Sequence, residues 1–279
     1  MSQPALDLPG LTKAVILARG LGTRMRRSDE AVPLDAQQAA VAQTGVKALI
    51  PIDRPFLDYV LTGLADAGYR RVCLVVAPDH EALRGYYQEQ APPKRLAIEF
   101  AVQVQPRGTA DAVAAAEAFA GGDPFLAVNS DNYYPQEALS GLRDQSGAGV
   151  ALFELESMLA SSNIDPERIR QFALGKIDQQ GRLSRILEKP AEATLAALPR
   201  PLWLSMNCWR LTPAIFDACR RIPLSVRGEL ELTDAVQYAI DQLGEPFSVL
   251  CVRAGVLDMT SRRDVASIAA RLKGTKVDY

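Results

Sequence analysis

Residues 13–24 read KAVILARGLGTR, an apolar run that leads directly into a loop with two glycines and an arginine. The run KAVIL has the apolar, β-branched character of a buried strand. Glycine lets a backbone approach a ligand closely, so Gly20 and Gly22 can turn amide N–H groups toward an anion. Thr23 and Arg24 then add a hydroxyl group and a bidentate cation. Taken alone, this stretch fits a phosphate-binding loop at the end of a strand and a plain tight turn equally well.

Strand-like and helical patterns alternate from residue 13 to residue 131. They are KAVILA, PFLDYVLTGLADAG, RVCLVVA, HEALRGYYQEQ, LAIEFAVQ, GTADAVAAAEAFAGG and PFLAVNSD. Such alternation predicts a Rossmann-like α/β fold, a mostly parallel mixed sheet flanked by helices on both faces. Ligands of such sheets bind beyond the carboxyl ends of the strands, where LARGLGTR and VNSDN would lie. The first long helix is predicted to have one apolar stripe, formed by Leu57, Val60, Leu61, Leu64 and Ala65.

The alternation of strand-like and helical patterns becomes less regular after about Gly147. The segments VALFEL, GRLSRILEKP, PLWLSMNCW and FSVLCVR are typical of strands, whereas TPAIFDACRRI, ELTDAVQYAIDQLG and a segment from about Ser261 are typical of helices. We expect this half to extend the first sheet and to close over its ligand site. The sequence has no internal repeat or linker, so residues 1–279 are predicted to form one domain with two halves, about 13–131 and about 147–270.

Composition excludes several classes of protein. The net charge is −2 and the sequence pI is about 5.6, so no overall positive field would hold a nucleic acid or an anionic membrane. The four cysteines show no CxxC spacing and are expected to be reduced thiols. The sequence contains neither a signal-like N-terminus nor 18 consecutive apolar residues. We therefore expect a soluble, cytoplasmic protein without nucleic-acid or membrane partners.

Further motifs follow in order along the chain: Lys47 in GVKALIPI, QVQPRGTA at 103–110, Asp131 in NSDN, EKP at 188–190 and Asp258 in VLDMTS. With these motifs the chain resembles the sugar-1-phosphate nucleotidyltransferases, the nucleotide-sugar pyrophosphorylases, from about residue 13 to residue 270. The resemblance implies the nucleotidyltransferase (GT-A-like) type of fold. It also implies that a sugar 1-phosphate attacks the α-phosphorus of a nucleoside triphosphate with the help of Mg²⁺, and that pyrophosphate leaves.

The resemblance also implies roles for single residues. Arg24 and Lys47 would be catalytic residues that contact the phosphates, and Asp131 and Asp258 would be the carboxylate ligands of Mg²⁺. Nucleotide-binding positions would be Leu17, Ala18, Gly20, Gly22, Thr23, Gln103 and Gly108. Positions that bind the sugar phosphate would be Glu188, Lys189 and Asn207.

The chain departs from the family pattern at four places. Arg19 stands where the family start is L-A-G-G or L-A-A-G, and an arginine there could reach the nucleotide or a phosphate. The 22 residues between Arg24 and Lys47 form a longer connection than usual, with a helical pattern, and could act as a lid. A tyrosine-glycine pair is replaced by Phe172-Ala173, and W-x-D-x-G-T reads VLDMTS.

Other functions stay open on the sequence alone. A glycosyltransferase would have a similar fold but usually carries D-x-D, whereas this chain has Ser130-Asp131-Asn132. A cytidylyltransferase for a non-sugar phosphate such as phosphocholine, or a non-catalytic paralogue that binds nucleotide sugars, would also fit the motifs. The sequence does not fix the base, the sugar or the oligomeric state, and a homo-oligomer is one option.

Overall fold

The computed structural model describes residues 11–27, 34–190, 195 and 198–279. In these ranges the strands are β1 Lys13–Leu17, β2 Arg71–Val76, β3 Ala97–Val102, β4 Phe125–Asn129, β5 Asn132–Tyr133, β6 Ala148–Glu154, β7 Leu174–Ile177, β8 Leu183–Leu187, β9 Trp203–Leu211, β10 Phe247–Val252 and β11 Leu257–Asp258.

The helices of the same ranges are α1 Thr23–Arg26, α2 Ala36–Thr44, α3 Phe56–Asp66, α4 Glu81–Gly85, α5 Thr109–Ala115, α6 Glu117–Ala120, α7 Gln136–Asp144, α8 Leu155–Ser161, α9 Pro166–Ile169, α10 Ala214–Arg221, α11 Leu232–Leu243 and α12 Arg262–Leu272. A 3₁₀ turn covers Lys47–Leu49, and α4 continues into a π-helical turn at Tyr86–Gln90.

The strands form one mixed sheet in the order β10-β6-β9-β4-β1-β2-β3, and the β7–β8 hairpin is attached to β9. Strands β4, β1, β2 and β3 run parallel, as do β6 and β10. Strand β9 is antiparallel to both of its neighbours, β4 and β6. The predicted mostly parallel mixed sheet is therefore confirmed, and the second half of the chain extends the first sheet as expected.

Helices cover both faces of this sheet, because residues 14–17 of β1 and 125–128 of β4 are apolar at every position. On β1, Ala14 and Ile16 belong to one buried cluster, which also contains Leu61 of α3. Val15 points to the opposite face and belongs to a second cluster with Phe216 of α10. Both faces of the sheet are thus buried under helices, and a ligand can reach the sheet only at the ends of its strands.

Helix α3 differs from the sequence prediction. Instead of one apolar stripe, every residue from Phe56 to Ala65 is buried. The polar positions are covered because the Asp58 carboxylate accepts hydrogen bonds from the hydroxyl groups of Tyr86, Tyr87 and Tyr279. A buried carboxylate is tolerated when donors surround it, so partners that are distant in sequence decide the burial of this helix.

A two-stranded antiparallel sheet of β5 and β11 brings two of the predicted site residues, Asp131 and Asp258, together. Strand β5 pairs antiparallel with β11, and in its register Asn132 lies opposite Asp258. The N–H group of Met259 donates to the backbone oxygen of Asp131 at 2.8 Å. Two aspartates that are 127 positions apart (258 − 131) are therefore held side by side at the end of β4.

The connection between Arg24 and Lys47 contains the predicted helix, α2. The Asp35 side chain caps its N-terminus by accepting from the N–H group of Gln38 at 2.7 Å, and Gly45 ends it in the left-handed conformation. Residues 28–33 of this connection lie outside the described residues. The lid therefore stays a prediction.

Within the described ranges, no helix is both long and apolar enough to cross a membrane. All four cysteines are free thiols, as expected from their spacing. Cys73, Cys208 and Cys219 are buried, and burial raises the pKa of the Cys73 thiol to about 12. These thiols are packing residues of the core.

Candidate active site

A cavity of about 550 Å³ opens at the carboxyl ends of β1 and β4, the place predicted for a ligand. Its size is typical of a small-molecule site. The predicted residues that line it are Leu17, Ala18, Gly20, Thr23, Lys47, Gln103, Gly108 and Asp131. The structure thus brings together the G-x-G-T-R loop, the Lys47 segment, the 103–110 loop and the end of β4.

The two glycines of the loop differ in whether their positions require glycine. Gly22 has a left-handed backbone with φ of 58°, and a Cβ atom there would overlap the carbonyl group of Gly45. Gly20 has no such conformation, and a Cβ atom there would meet nothing within 4 Å. Gly22 is therefore required by the turn and its packing on Gly45, whereas Gly20 leaves open space on the cavity wall.

The short helix α1 follows this loop and carries Arg24. Its backbone is fixed because Arg262 donates from Nε to the carbonyl oxygen of Met25 at 3.0 Å. The Arg24 side chain is exposed and is not among the residues that line the cavity. Its contact with phosphates stays a prediction, and it requires the side chain to turn toward the cavity.

Lys47 and Asp131 form an ion pair on the cavity wall. The lysine Nζ lies 2.7 Å from Oδ2 of the aspartate, and the two side chains are 19% and 25% exposed. Lys47 begins the 3₁₀ turn and Asp131 follows β4, so the pair joins segments that are 84 positions apart. The pair is half-buried, which shields it from water more than a surface ion pair.

Asp258 lies beside this pair and is more deeply buried, with 7% of its surface exposed. Its carboxylate accepts a short hydrogen bond from the hydroxyl group of Thr260 and lies 3.4 Å from the Arg168 guanidinium. Burial and, second, the negative charge of Asp131 raise the pKa of Asp258 to about 6. The two carboxylates therefore repel each other in a poorly solvated place.

This pair of carboxylates fits Mg²⁺. Carboxylate oxygens are the ligands that Mg²⁺ prefers, and a divalent cation would relieve the repulsion between Asp131 and Asp258. No group of three or more His, Cys, Asp or Glu ligands occurs in the part of the chain that the structure describes. Such a sparse set is typical of Mg²⁺ sites in which substrate phosphates complete the coordination.

Gln103 and Gly108 form the opposite end of the cavity. The Gln103 side chain is almost fully buried, and its Nε2 donates to the carbonyl oxygen of Gly108 at 2.9 Å and to Asp111 at 2.8 Å. Gly108 has φ of 118°, and a Cβ atom there would overlap the backbone of Leu230. Leu230 in turn donates to the carbonyl oxygen of Arg107 at 2.7 Å. The glycine is thus required by conformation and by close packing.

The structure does not bring the predicted sugar-phosphate residues into this cavity. Glu188 and Lys189 are exposed and line a separate cavity of about 690 Å³ next to Arg227 and Gln237. Lys189 has a left-handed backbone with φ of 40°, which sets the direction of the chain after β8. Asn207 lies on β9, where its Oδ1 accepts from Nε1 of Trp209 at 3.4 Å. Their roles toward a sugar phosphate stay predictions.

Several residues of the cavity wall were not identified from the sequence. Asn129 and Ser130 directly precede Asp131, so their position at the strand end was a usable signal. Glu229 has no such signal, because the segment before α11 reaches the cavity only through its pairing with the 107–110 loop. The other unassigned wall residues are Arg19, which was noted only as a departure, Leu21, Ala48, Pro106, Thr109 and Ala112.

The curated proteins that are similar to this chain include several nucleotidyltransferases. The chain is 30% identical over 241 residues to the low-salt glycan biosynthesis nucleotidyltransferase Agl11 of Haloferax volcanii. This alignment covers 82% of this chain and 59% of the relative. The chain is 25% identical over 273 residues to the UTP–glucose-1-phosphate uridylyltransferase of Mycoplasma pneumoniae, covering 86% and 84%. It is 28% identical over 230 residues to the glucose-1-phosphate thymidylyltransferase of Streptomyces griseus, covering 82% and 57%. The chain thus spans less than two thirds of the Haloferax and Streptomyces proteins.

Solved structures show the same fold. A UDP-glucose pyrophosphorylase in complex with UDP-glucose superposes with a TM-score of 0.71 at 19% identity, covering 95% of this chain and all of that chain. The UDP-glucose pyrophosphorylase of Acinetobacter baumannii superposes with a TM-score of 0.72 at 19% identity, covering 96% and 95%. The family model described as "Nucleotidyl transferase" matches residues 13–251. The chain therefore belongs to the nucleotidyl transferase family, as its resemblance to the sugar-1-phosphate nucleotidyltransferases predicts.

Proposed function

We propose that the protein joins a nucleoside triphosphate to a sugar 1-phosphate and releases pyrophosphate. The observation that carries the proposal is the charged group at the end of β4, where Lys47 pairs with Asp131 and Asp258 lies beside Asp131. Reactions among phosphates depend mainly on positioning and on neutralisation of charge, and they need few acid–base groups. Lys47 and Asp131 on the wall of a 550 Å³ cavity, with Asp258 buried beside Asp131, suit this chemistry.

In the proposed reaction, an oxygen of the sugar phosphate attacks the α-phosphorus, and the bond to the bridging oxygen of the β-phosphate breaks. Asp131 and Asp258 would hold Mg²⁺, which when bound neutralises and orients the phosphate oxygens. Lys47 would exchange its present partner, Asp131, for oxygens of the α-phosphate as negative charge builds up there.

The glycine loop would hold the remaining phosphates. Thr23 lies on the cavity wall at the start of α1, where a hydroxyl group and unpaired N–H groups can donate to an anion. Arg24 follows it and would neutralise the leaving pyrophosphate once its side chain turns inward. The electron pair of the broken bond leaves with the pyrophosphate, so no side chain has to act as a strong acid.

The remaining assignments belong to the same proposal. The names of the Mycoplasma and Streptomyces relatives support UTP or dTTP with glucose 1-phosphate as the first substrates to test. Residues 13–131 would form the nucleotide half and residues 147–270 the sugar half. We propose a cytoplasmic protein without nucleic-acid or membrane partners, supported by its net charge of −2 and its lack of a long apolar run.

The test is release of pyrophosphate by the purified protein. Each nucleoside triphosphate is combined with a panel of sugar 1-phosphates and with phosphocholine, with Mg²⁺ or with chelator. We expect pyrophosphate and a nucleotide sugar to form from one triphosphate and one sugar 1-phosphate. Arg220→Ala is the matched control, because this arginine forms an exposed ion pair with Glu117 away from the cavity. Absence of pyrophosphate from every combination would contradict the proposal.

A further inference from the structure

Arg19 is a charged residue of the cavity wall to which the proposed reaction gives no role. It lines the cavity on the loop after β1, where the family pattern has glycine or alanine. Its Nε donates to the backbone oxygen of Gln103 at 3.3 Å, which places the guanidinium at the Gln103 end of the cavity. This is the end opposite Asp131, so a nucleotide whose phosphates lie at Lys47 and Asp131, as the proposed function has them, would have its base here.

The Arg19 guanidinium has further N–H donors that make no hydrogen bond with the described residues. Nη1 is buried and has no acceptor among the described residues, and Arg19 forms no ion pair with a carboxylate of the same ranges. The side chain as a whole is only half-buried, so part of the group faces the cavity. An arginine has donors and no acceptor, and a buried donor without a partner is unfavourable. A ligand with an acceptor in the cavity would bind to the part of the guanidinium that faces it.

Gln103 presents the complementary group. Its Nε2 is used by Gly108 and Asp111, so its amide cannot turn over without the loss of two hydrogen bonds. Its Oε1 accepts no hydrogen bond from the described residues and is left as the acceptor. Gly108 contacts Gln103 as the acceptor of its Nε2, and the N–H group of Gly108 at the N-terminus of α5 has no acceptor among the described residues.

Gln103 contacts both Arg19 and Gly108, so the free groups in order of contact are donor, acceptor, donor: the Arg19 guanidinium, Oε1 of Gln103 and the N–H group of Gly108. The matching ligand edge is acceptor, donor, acceptor. Uracil and thymine have this edge in O2, N3–H and O4. Cytosine presents two acceptors and an amino group, guanine presents one acceptor and two donors, and adenine has no carbonyl oxygen.

We propose that Arg19 determines specificity for the base by donating to a carbonyl oxygen of uracil or thymine, beside the N3–H group that Gln103 accepts. The proposal deepens the proposed function and rests on it for the position of the base. The other candidate for Arg19, a contact with the triphosphate, would leave the response to changes in the base unaltered.

The test replaces one carbonyl oxygen of the base at a time. UTP, 2-thio-UTP and 4-thio-UTP are compared as substrates of the wild type and of Arg19→Ala, because sulfur accepts hydrogen bonds weakly. In the wild type we expect kcat/KM to fall by about tenfold for one of the two analogues, the loss typical of a hydrogen bond to a charged group. In Arg19→Ala this discrimination should shrink to less than about threefold, while the response to the other analogue stays the same.

Calorimetric binding of the same three nucleotides gives the comparison without turnover. Arg19→Gly, the small residue of the family pattern, is the second variant, and Arg220→Ala is the control with unchanged discrimination. If both Arg19 variants keep the wild-type response to both analogues, the inference is overturned. A wild type that binds uridine nucleotides with Arg19-dependent discrimination but releases no pyrophosphate would support the inference and overturn the proposed function.

Discussion

Asp258→Asn should make the metal-free protein more stable. The folded protein raises the pKa of Asp258 from its usual 3.8 to about 6, because burial and Asp131 disfavour the ionised form. A carboxyl group with a raised pKa destabilises the fold when it is ionised. This penalty is complete above about pH 6 and vanishes below the unfolded pKa.

A rise of this pKa from 3.8 to about 6 corresponds to about 3 kcal/mol of the free energy of unfolding at pH 7.5. The neutral asparagine keeps an oxygen for the Thr260 hydroxyl group but leaves Arg168 without its carboxylate, a loss of about 1 kcal/mol. The net gain of roughly 1–2 kcal/mol should raise Tm by roughly 2–8 °C. At pH 5.0 about half of the charge penalty should remain.

The assay is thermal unfolding in chelator at pH 7.5 and pH 5.0, and then with Mg²⁺. Mg²⁺ should stabilise the wild type more than Asp258→Asn, because the variant loses one proposed ligand. Asp123→Asn is a control of opposite sign, since its hydrogen bond and ion pair with Lys13 lower the pKa of Asp123. A Tm for Asp258→Asn below that of the wild type in chelator at pH 7.5, or a difference that does not shrink at pH 5.0, would refute the reasoning.

Three further outcomes follow from the site. Asp131→Asn should remove most activity without unfolding the protein, because it deletes one charge at almost constant volume; near wild-type turnover with Mg²⁺ would exclude a metal-binding role. Arg24→Lys should lower kcat by about 10²-fold or more, since an ammonium group cannot form the bidentate fork; a change of a few-fold would leave Arg24 a solvated loop residue. Gly108→Ala should lower stability by about 1–3 kcal/mol, because φ is 118° and the Cβ atom meets Leu230; an unchanged denaturant midpoint would contradict this packing.

The fold could be predicted from the sequence because its signals are local. The run around Val15 is apolar at every position, which is typical of a strand with both faces covered, and turns separate it from helical patterns. The burial of Asp58 could not be predicted in this way. It depends on Tyr86, Tyr87 and Tyr279, which approach α3 from other parts of the chain.

In the candidate site, too, residues of a contiguous motif could be predicted from the sequence, whereas residues placed by contacts with distant segments could not. The loop with Gly20, Gly22 and Thr23 is contiguous in sequence and follows a strand, so its place at the cavity could be inferred. Glu229 reaches the same cavity through backbone pairing between Leu230 and Arg107, for which the sequence has no pattern.

The separate cavity of Glu188 and Lys189 has a similar cause. The direction of the chain after β8 depends on the backbone of Lys189, and a short motif such as EKP does not encode that conformation. Arg19 is the opposite case, since its departure from the family pattern is visible in the sequence. Its contact with Gln103 could be found only from the structure.

The central claim is attack by a sugar 1-phosphate on the α-phosphorus of a nucleoside triphosphate. It is tested most directly with a triphosphate that carries ³²P only in its α-phosphate. With the purified protein, Mg²⁺ and the sugar 1-phosphate found in the panel, the label should appear in the nucleotide sugar, with one unlabelled pyrophosphate released for each. Label in free nucleoside monophosphate, or pyrophosphate release that does not require the sugar phosphate, would contradict the account.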